Sequence, residues 1–120
     1  MKKEKTVRAI LLKAGKKPQL IRLANTLEAF QATVGGYIEV LHAFDDSTRI
    51  IVDEEGKLKE KPINCVIRND WGGFDVLVGD LLVVNTDGTE FCSLTDEQAR
   101  RYMATLDGPC LPARMAEAEV

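Results

Sequence analysis

The chain has 120 residues, 45% of them hydrophobic, and a formal charge of −3 at pH 7, enough for one domain that buries about two thirds of its unfolded surface without covalent staples. Its apolar runs fall far short of the ~20 residues that cross a bilayer, and its 3 cysteines and 1 histidine are too scattered for a four-ligand zinc site. An odd cysteine count with no secretory signal predicts reduced thiols and a soluble, cytoplasmic protein.

The charge is unevenly spread. Residues 1–24 hold eight Lys or Arg and one acid, whereas the rest hold eight basic and eighteen acidic side chains. A basic start can meet phosphates or an acidic partner. It can equally be a solvated edge that discourages strand-to-strand aggregation. The acidic body would repel a duplex beyond a small footprint, so nucleic acid is not an expected partner.

Lys5 to Lys13 alternates Val7, Ala9 and Leu11 with Arg8, Ile10 and Leu12, a strand apolar on both faces in its second half. Ala14-Gly15-Lys16-Lys17-Pro18 breaks it and Gln19 to Leu23 resumes the alternation, which predicts a hairpin. Asn25, with Glu28 three residues on, reads as the cap of a helix carrying Leu27, Phe30 and Val34, and Gly35-Gly36 stops it. Tyr37 to Phe44 reads as a strand with Ile38, Val40, His42 and Phe44 on one face and Tyr37, Glu39 and Leu41 on the other. Asp45, Asp46 and Ser47 turn it into Thr48 to Val52, which ends at a Glu55-Gly56 turn. Residues 53–62 are the most polar stretch of the body and read as a solvent-exposed loop.

Ile63 to Ile67 is a short apolar run interrupted by Asn64, either a structural tie or a ligand-facing amide. Arg68 to Phe74, RNDWGGF, sets Trp71 between charges and a glycine pair, as an aromatic face for a ligand or as a lid over the core. Asp75 to Val78 and Asp80 to Val84 suggest one long strand bent at Gly79. Asn85-Thr86-Asp87-Gly88 is a hairpin turn, returning through Glu90 to Leu94. Thr95 and Gln98 open a second helix with Asp96 and Glu97 at its positive end, and Ala99, Tyr102, Met103 and Leu106 form its buried stripe. Gly108-Pro109 ends it, and 109–120 reads as a tail with an accessible Cys110. The expected fold class is α+β: one domain over residues 1–108, a mostly antiparallel sheet of five to seven strands, and two helices packed on one face.

Nucleophilic catalysis needs a base, and His42 lies on a core face by strand alternation. The sequence has no GxxxxGK[ST], GxSxG or HExxH, which sets those enzyme classes aside. No catalytic, metal or cofactor site is expected. Glu39, an acid inside a strand, needs solvent or a ladder partner such as Arg49.

The segments NTLEAFQATVGGYIEV, IIVDEEGKL, PIN, DVLVGDLLVV and FCSLTDEQ, in this order and spacing, resemble a family of small proteins of unknown function common in phages and bacterial conjugative elements. The resemblance covers residues 6–106 and rests on VGGYIE, DEEGKL and SLTDEQ. It implies a stand-alone domain encoded among accessory genes of mobile DNA, and it carries over no catalytic residues. The chain departs from the pattern in Lys-Pro-Ile-Asn and in an insertion around Trp71.

A chain of this kind is expected to bind rather than transform. The first expectation is a phage-type counter-defence protein that sequesters a cyclic-nucleotide immune signal in a pocket between protomers. Tyr37, Trp71 and Phe74 would stack on a base, with Arg8, Glu39, Asn64 and Arg68 as polar companions and the capped helix N-termini as anion sites. The alternative is a module that inhibits or scaffolds a host or phage protein through a strand edge or the acidic 53–60 loop. A third is a nucleotide hydrolase or phosphodiesterase using Glu39, Asp53 or His42. A sheet apolar on both faces suggests a homodimer or higher homo-oligomer that covers the outer face.

Overall fold

The computed structural model describes residues 3–44, 46–68 and 73–106, with Arg68 described by its backbone only. Trp71, Cys110, the Gly108-Pro109 stop and the 109–120 tail lie outside the described residues. In chain order the elements are β1 (Thr6–Leu12), β2 (Gln19–Ala24), α1 (Leu27–Val34), β3 (Ile38–Leu41), β4 (Thr48–Asp53), β5 (Ile63–Arg68), β6 (Phe74–Val78), β7 (Leu81–Thr86), β8 (Phe91–Cys92) and α2 (Asp96–Leu106).

The fold is α+β. A main sheet of six strands has the order β2-β1-β7-β4-β3, with β8 also paired to β7, and β5-β6 form a separate two-stranded sheet. Every pairing is antiparallel. β7 is central because Leu81, Leu82, Val83 and Val84 are all buried, and a continuous apolar run suits a strand covered on both faces. Leu81 and Val83 join Ile10, Leu12, Ile50 and Val52 in one core layer; Leu82 and Val84 join Val7, Ala9 and Ile51 in the other.

The two helices lie on opposite faces of this sheet, not on one. Phe30 and Val34 of α1 close the Leu82 side, with Phe30 edge-on to Phe91 at 5.4 Å. Ala99, Tyr102 and Leu106 of α2 close the Leu81 side together with Cys65, Ile67 and Leu77 of the β5-β6 hairpin. Alternation along the strands shows that both faces are apolar, but it carries no information about which helix covers which. The second face, for which a second copy was expected, is thus covered from within the chain.

Other boundaries also move. Thr26, not Asn25, caps α1 by accepting from the Ala29 N–H, while Asn25 is buried and its amide donates to the carbonyls of Glu4 and Phe91. β3 stops at Leu41, so His42 is exposed and off the strand, and Phe44 turns beneath α2, its ring 4.3 Å from that of Tyr102. Asp75–Val78 and the strand after Gly79 do not form one bent strand: Gly79, at φ 74°, sends the chain from one sheet to the other. The first hairpin, the β3-β4 hairpin, the turn after Thr86 and the α2 capping box are as expected. In that box the Gln98 N–H donates to Thr95 Oγ1 and the Thr95 N–H to Gln98 Oε1.

Candidate functional site

Two neighbouring features gather the motifs at the β3 edge of the main sheet. The first is a clasp around Asp53. Its side chain is 1% exposed, and Oδ2 receives Lys59 Nζ at 2.8 Å and Lys61 Nζ at 2.7 Å, while Oδ1 accepts from the Glu55 N–H. The same two ammonium groups donate onward to the carbonyls of Gly35 and Val34. They therefore satisfy the negative end of α1 as well as the buried carboxylate. Burial pushes the Asp53 carboxyl up, but the hydrogen bonds from Lys59, Lys61 and Glu55 outweigh it and hold the group down at about 2. The Lys59 ammonium is raised in turn, chiefly by its hydrogen bond to Asp53.

Gly36 packs so close to this carboxylate that a β-carbon would stand 2.6 Å from Asp53 Oδ1 and 2.6 Å from Lys59 Nζ. Gly79 leaves room for the Lys61 stem in the same way, its β-carbon position lying 2.8 Å from Lys61 Cδ. Residues 53–62 are therefore not simply a solvated loop: Glu54, Glu55 and 57–60 are exposed, but Asp53 and Gly56 are buried. Asp53 is spent on structure, which removes it from any acid–base role.

The second feature is a cleft of about 310 Å³ between the main sheet and the β5-β6 hairpin, lined by Glu39, Leu41, Val52, Asp53, Glu54, Lys57 and the run Asp75 to Val78. Leu41, Val52 and Leu77 belong to the core layer behind it. Glu39, Glu54 and Asp75 are exposed and have no ion-pair partner among the described residues. Arg49 does not partner Glu39. The register sets Glu39 opposite Val52, and Arg49 donates to the carbonyls of Asp46 and Thr48.

The residues expected to bind a ligand do not converge. Glu39 lines the cleft. Tyr37 and Phe74 are 65% and 56% exposed at the starts of β3 and β6. Asn64 is 0% exposed and is a tie: its Nδ2 donates to the carbonyls of Leu12 and Gly79 at 2.8 Å each, across the bulge between Ile63 and Cys65. Its Oδ1 is buried without a partner among the described residues, and the residue is not part of the cleft wall. Arg8, on β1, is toward the opposite edge of the sheet, where Nε and an amino group donate to the Leu94 carbonyl and another amino group meets Asp96 at 2.8 Å. The Arg68 side chain and Trp71 lie outside the described residues. Sequence reasoning missed Asp75 and Glu54 as cleft residues because their neighbourhood depends on β6 folding over β3, which no local pattern records.

Elsewhere, an open groove of about 610 Å³ between β2 and α2 is lined by Arg8, Leu20, Asp96, Ala99, Arg100, Met103 and Ala104. Cys65 and Cys92 form no disulfide, and burial pushes the Cys92 thiol up, away from reactivity. Among the described residues no group of three or more His, Cys, Asp or Glu is placed to hold a metal ion, and no helix is long and apolar enough to cross a membrane.

The fold and cleft define a small α+β domain without a recognisable catalytic constellation among its described residues. The chain belongs to the family described as a domain of unknown function, DUF3846, whose pattern matches residues 7–107. Comparison with curated proteins and with solved structures finds no match.

Proposed function

We propose that this protein is a non-enzymatic binding module that acts by stoichiometric contact with another protein at the β3–β6 margin. The observation that carries the reading is the cleft itself: three carboxylates without an ion-pair partner among the described residues, over an apolar floor and against a strand with no second neighbour among those residues. Such a wall offers main-chain hydrogen bonds and negative charge together, which suits a polypeptide and repels a phosphate. In the mobile-element setting that the family resemblance implies, the partner would be a host or phage protein that is inhibited or scaffolded.

A photo-reactive side chain in place of exposed Val76 tests this, with the same group at exposed Leu20 as the control. The expected result is a single 1:1 protein adduct from position 76 and none from position 20. No adduct at 76, or turnover of a nucleotide by the purified chain that Glu39→Gln abolishes, overturns the reading. Sequestration of a cyclic nucleotide is the second reading, supported by the Arg100-bearing groove between β2 and α2. Arg8 contributes little there, because its guanidinium is already held by Leu94 and Asp96. Thermal stabilisation by a cyclic-nucleotide panel that disappears in Arg100→Ala would favour it.

A further inference from the structure

The cleft is bounded on one side by four consecutive residues, Asp75, Val76, Leu77 and Val78. Successive side chains of a strand point to opposite faces, so a wall made of consecutive residues is the strand's backbone edge rather than one of its faces. Among the described residues β6 pairs with β5 alone. From Asp75 to Val78 its other edge therefore presents alternate N–H and C=O groups with no ladder partner among the described residues, the arrangement that adds a further strand most readily.

The charge around that edge is one-sided. Asp53 is paired with both Lys59 and Lys61, whereas the other acids in the lining, Glu39, Glu54 and Asp75, have no ion-pair partner among the described residues, and Lys57 is the one cation in the lining. A metal ion does not fit, since no three of these groups stand close enough to share one. A chain of spaced cations does fit. The floor of Leu41, Val52 and Leu77 would take the aliphatic stems of lysine or arginine while their charged ends reach the rim. At about 310 Å³ the cleft is at the small end of ligand pockets, which run from roughly 300 to 1,000 Å³, and suits one or two side chains of a bound strand.

We infer that the cleft takes an extended basic segment of a partner protein, which adds to the free edge of β6 as a third strand and sets its cations between Glu39, Glu54 and Asp75. This rests on the binding reading above and specifies its partner's chemistry.

The probes are three amide-capped octapeptides: alternating Lys-Val, the same sequence with every backbone nitrogen methylated, and alternating Glu-Val. Each is titrated into the full chain while its backbone amides are followed by two-dimensional NMR. The Lys-Val peptide is expected to shift residues 39–41, 52–54 and 75–78. The methylated form, with equal charge but no N–H on either edge to donate to β6, should bind at least tenfold more weakly, and Glu-Val not at all. The variant Glu39→Lys/Asp75→Lys changes only exposed positions and should lose at least tenfold in affinity for Lys-Val with an unchanged amide spectrum elsewhere.

Equal binding of the methylated peptide overturns strand addition. Shifts confined to the β2–α2 groove overturn the location. A peptide-free dimer whose contact maps to β6 assigns the edge to a second copy and overturns the separate partner. If all peptides fail while position 76 still captures a protein, the basic strand falls and the binding reading stands.

Discussion

Asp53 is the residue on which the β3 edge depends, because its carboxylate holds two lysines that in turn close the end of α1. Its folded pKa of about 2 is below the ordinary 3.8, so this group stabilises the fold at pH values above about 4, and the contribution is lost as pH falls from there toward about 2. The full shift would correspond to about 2 kcal/mol; with the Lys59 end of the pair 41% exposed, screening reduces this to about 1 kcal/mol. Asp53→Asn should therefore lower stability at neutral pH and flatten the acid limb of the stability profile between about pH 4 and 2, read by urea unfolding at each pH. Gly36→Ala should cost about 2 kcal/mol by the same measurement, since the new methyl group meets the carboxylate and Lys59 at 2.6 Å. The glycines were legible as a helix stop. Their second task was not, because a polar run such as DEEGKLKEK reads the same whether its lysines point to solvent or fold back onto an aspartate.

Among the elements, α2 is the one most fully written into the sequence and the easiest to unfasten. Its capping box depends on one hydroxyl and one amide, and Thr95→Ala should cost about 1 kcal/mol in thermal or urea unfolding. Tyr102 anchors its middle: burial pushes the phenol up to about 12, and its hydrogen bond to Asp46 adds to the rise. In an absorbance titration this tyrosine should ionise only near pH 12, and Asp46→Asn should bring it down toward the ordinary 10. The capping box, the hairpin turns and the strand alternation were all legible because each is a local rule. What covers each sheet face was not. The runs Ala9 to Leu12 and Leu81 to Val84 announce burial on both sides, yet only the tertiary fold decides that α1 takes one side and α2 with the β5-β6 hairpin the other. The separation of β6 from β7 escaped for a similar reason: a glycine between two apolar runs is as compatible with a bulge as with a change of sheet.

At the scale of the molecule, the uneven charge of the sequence becomes a polarity of the sheet. Exposed Lys13, Lys16, Lys17 and Arg22 lie on or beside the β2 edge, and Glu39, Glu54 and Asp75 lie at the opposite, β3 edge. A basic partner should accordingly associate faster at low ionic strength, and the association rate should fall as salt rises toward 0.15 M, where charges more than about 8 Å apart are largely screened. The composition made the charge asymmetry visible, but only the strand order places the two signs at opposite ends. The most direct measurement is amide hydrogen exchange across the whole chain, free and in complex with the protein captured at position 76. Fast exchange at the outward-pointing amides of residues 75–78 in the free chain, slowed at least tenfold in the complex, is what a partner strand on β6 requires. Unchanged exchange there, with protection appearing instead along β2 and α2, would contradict it.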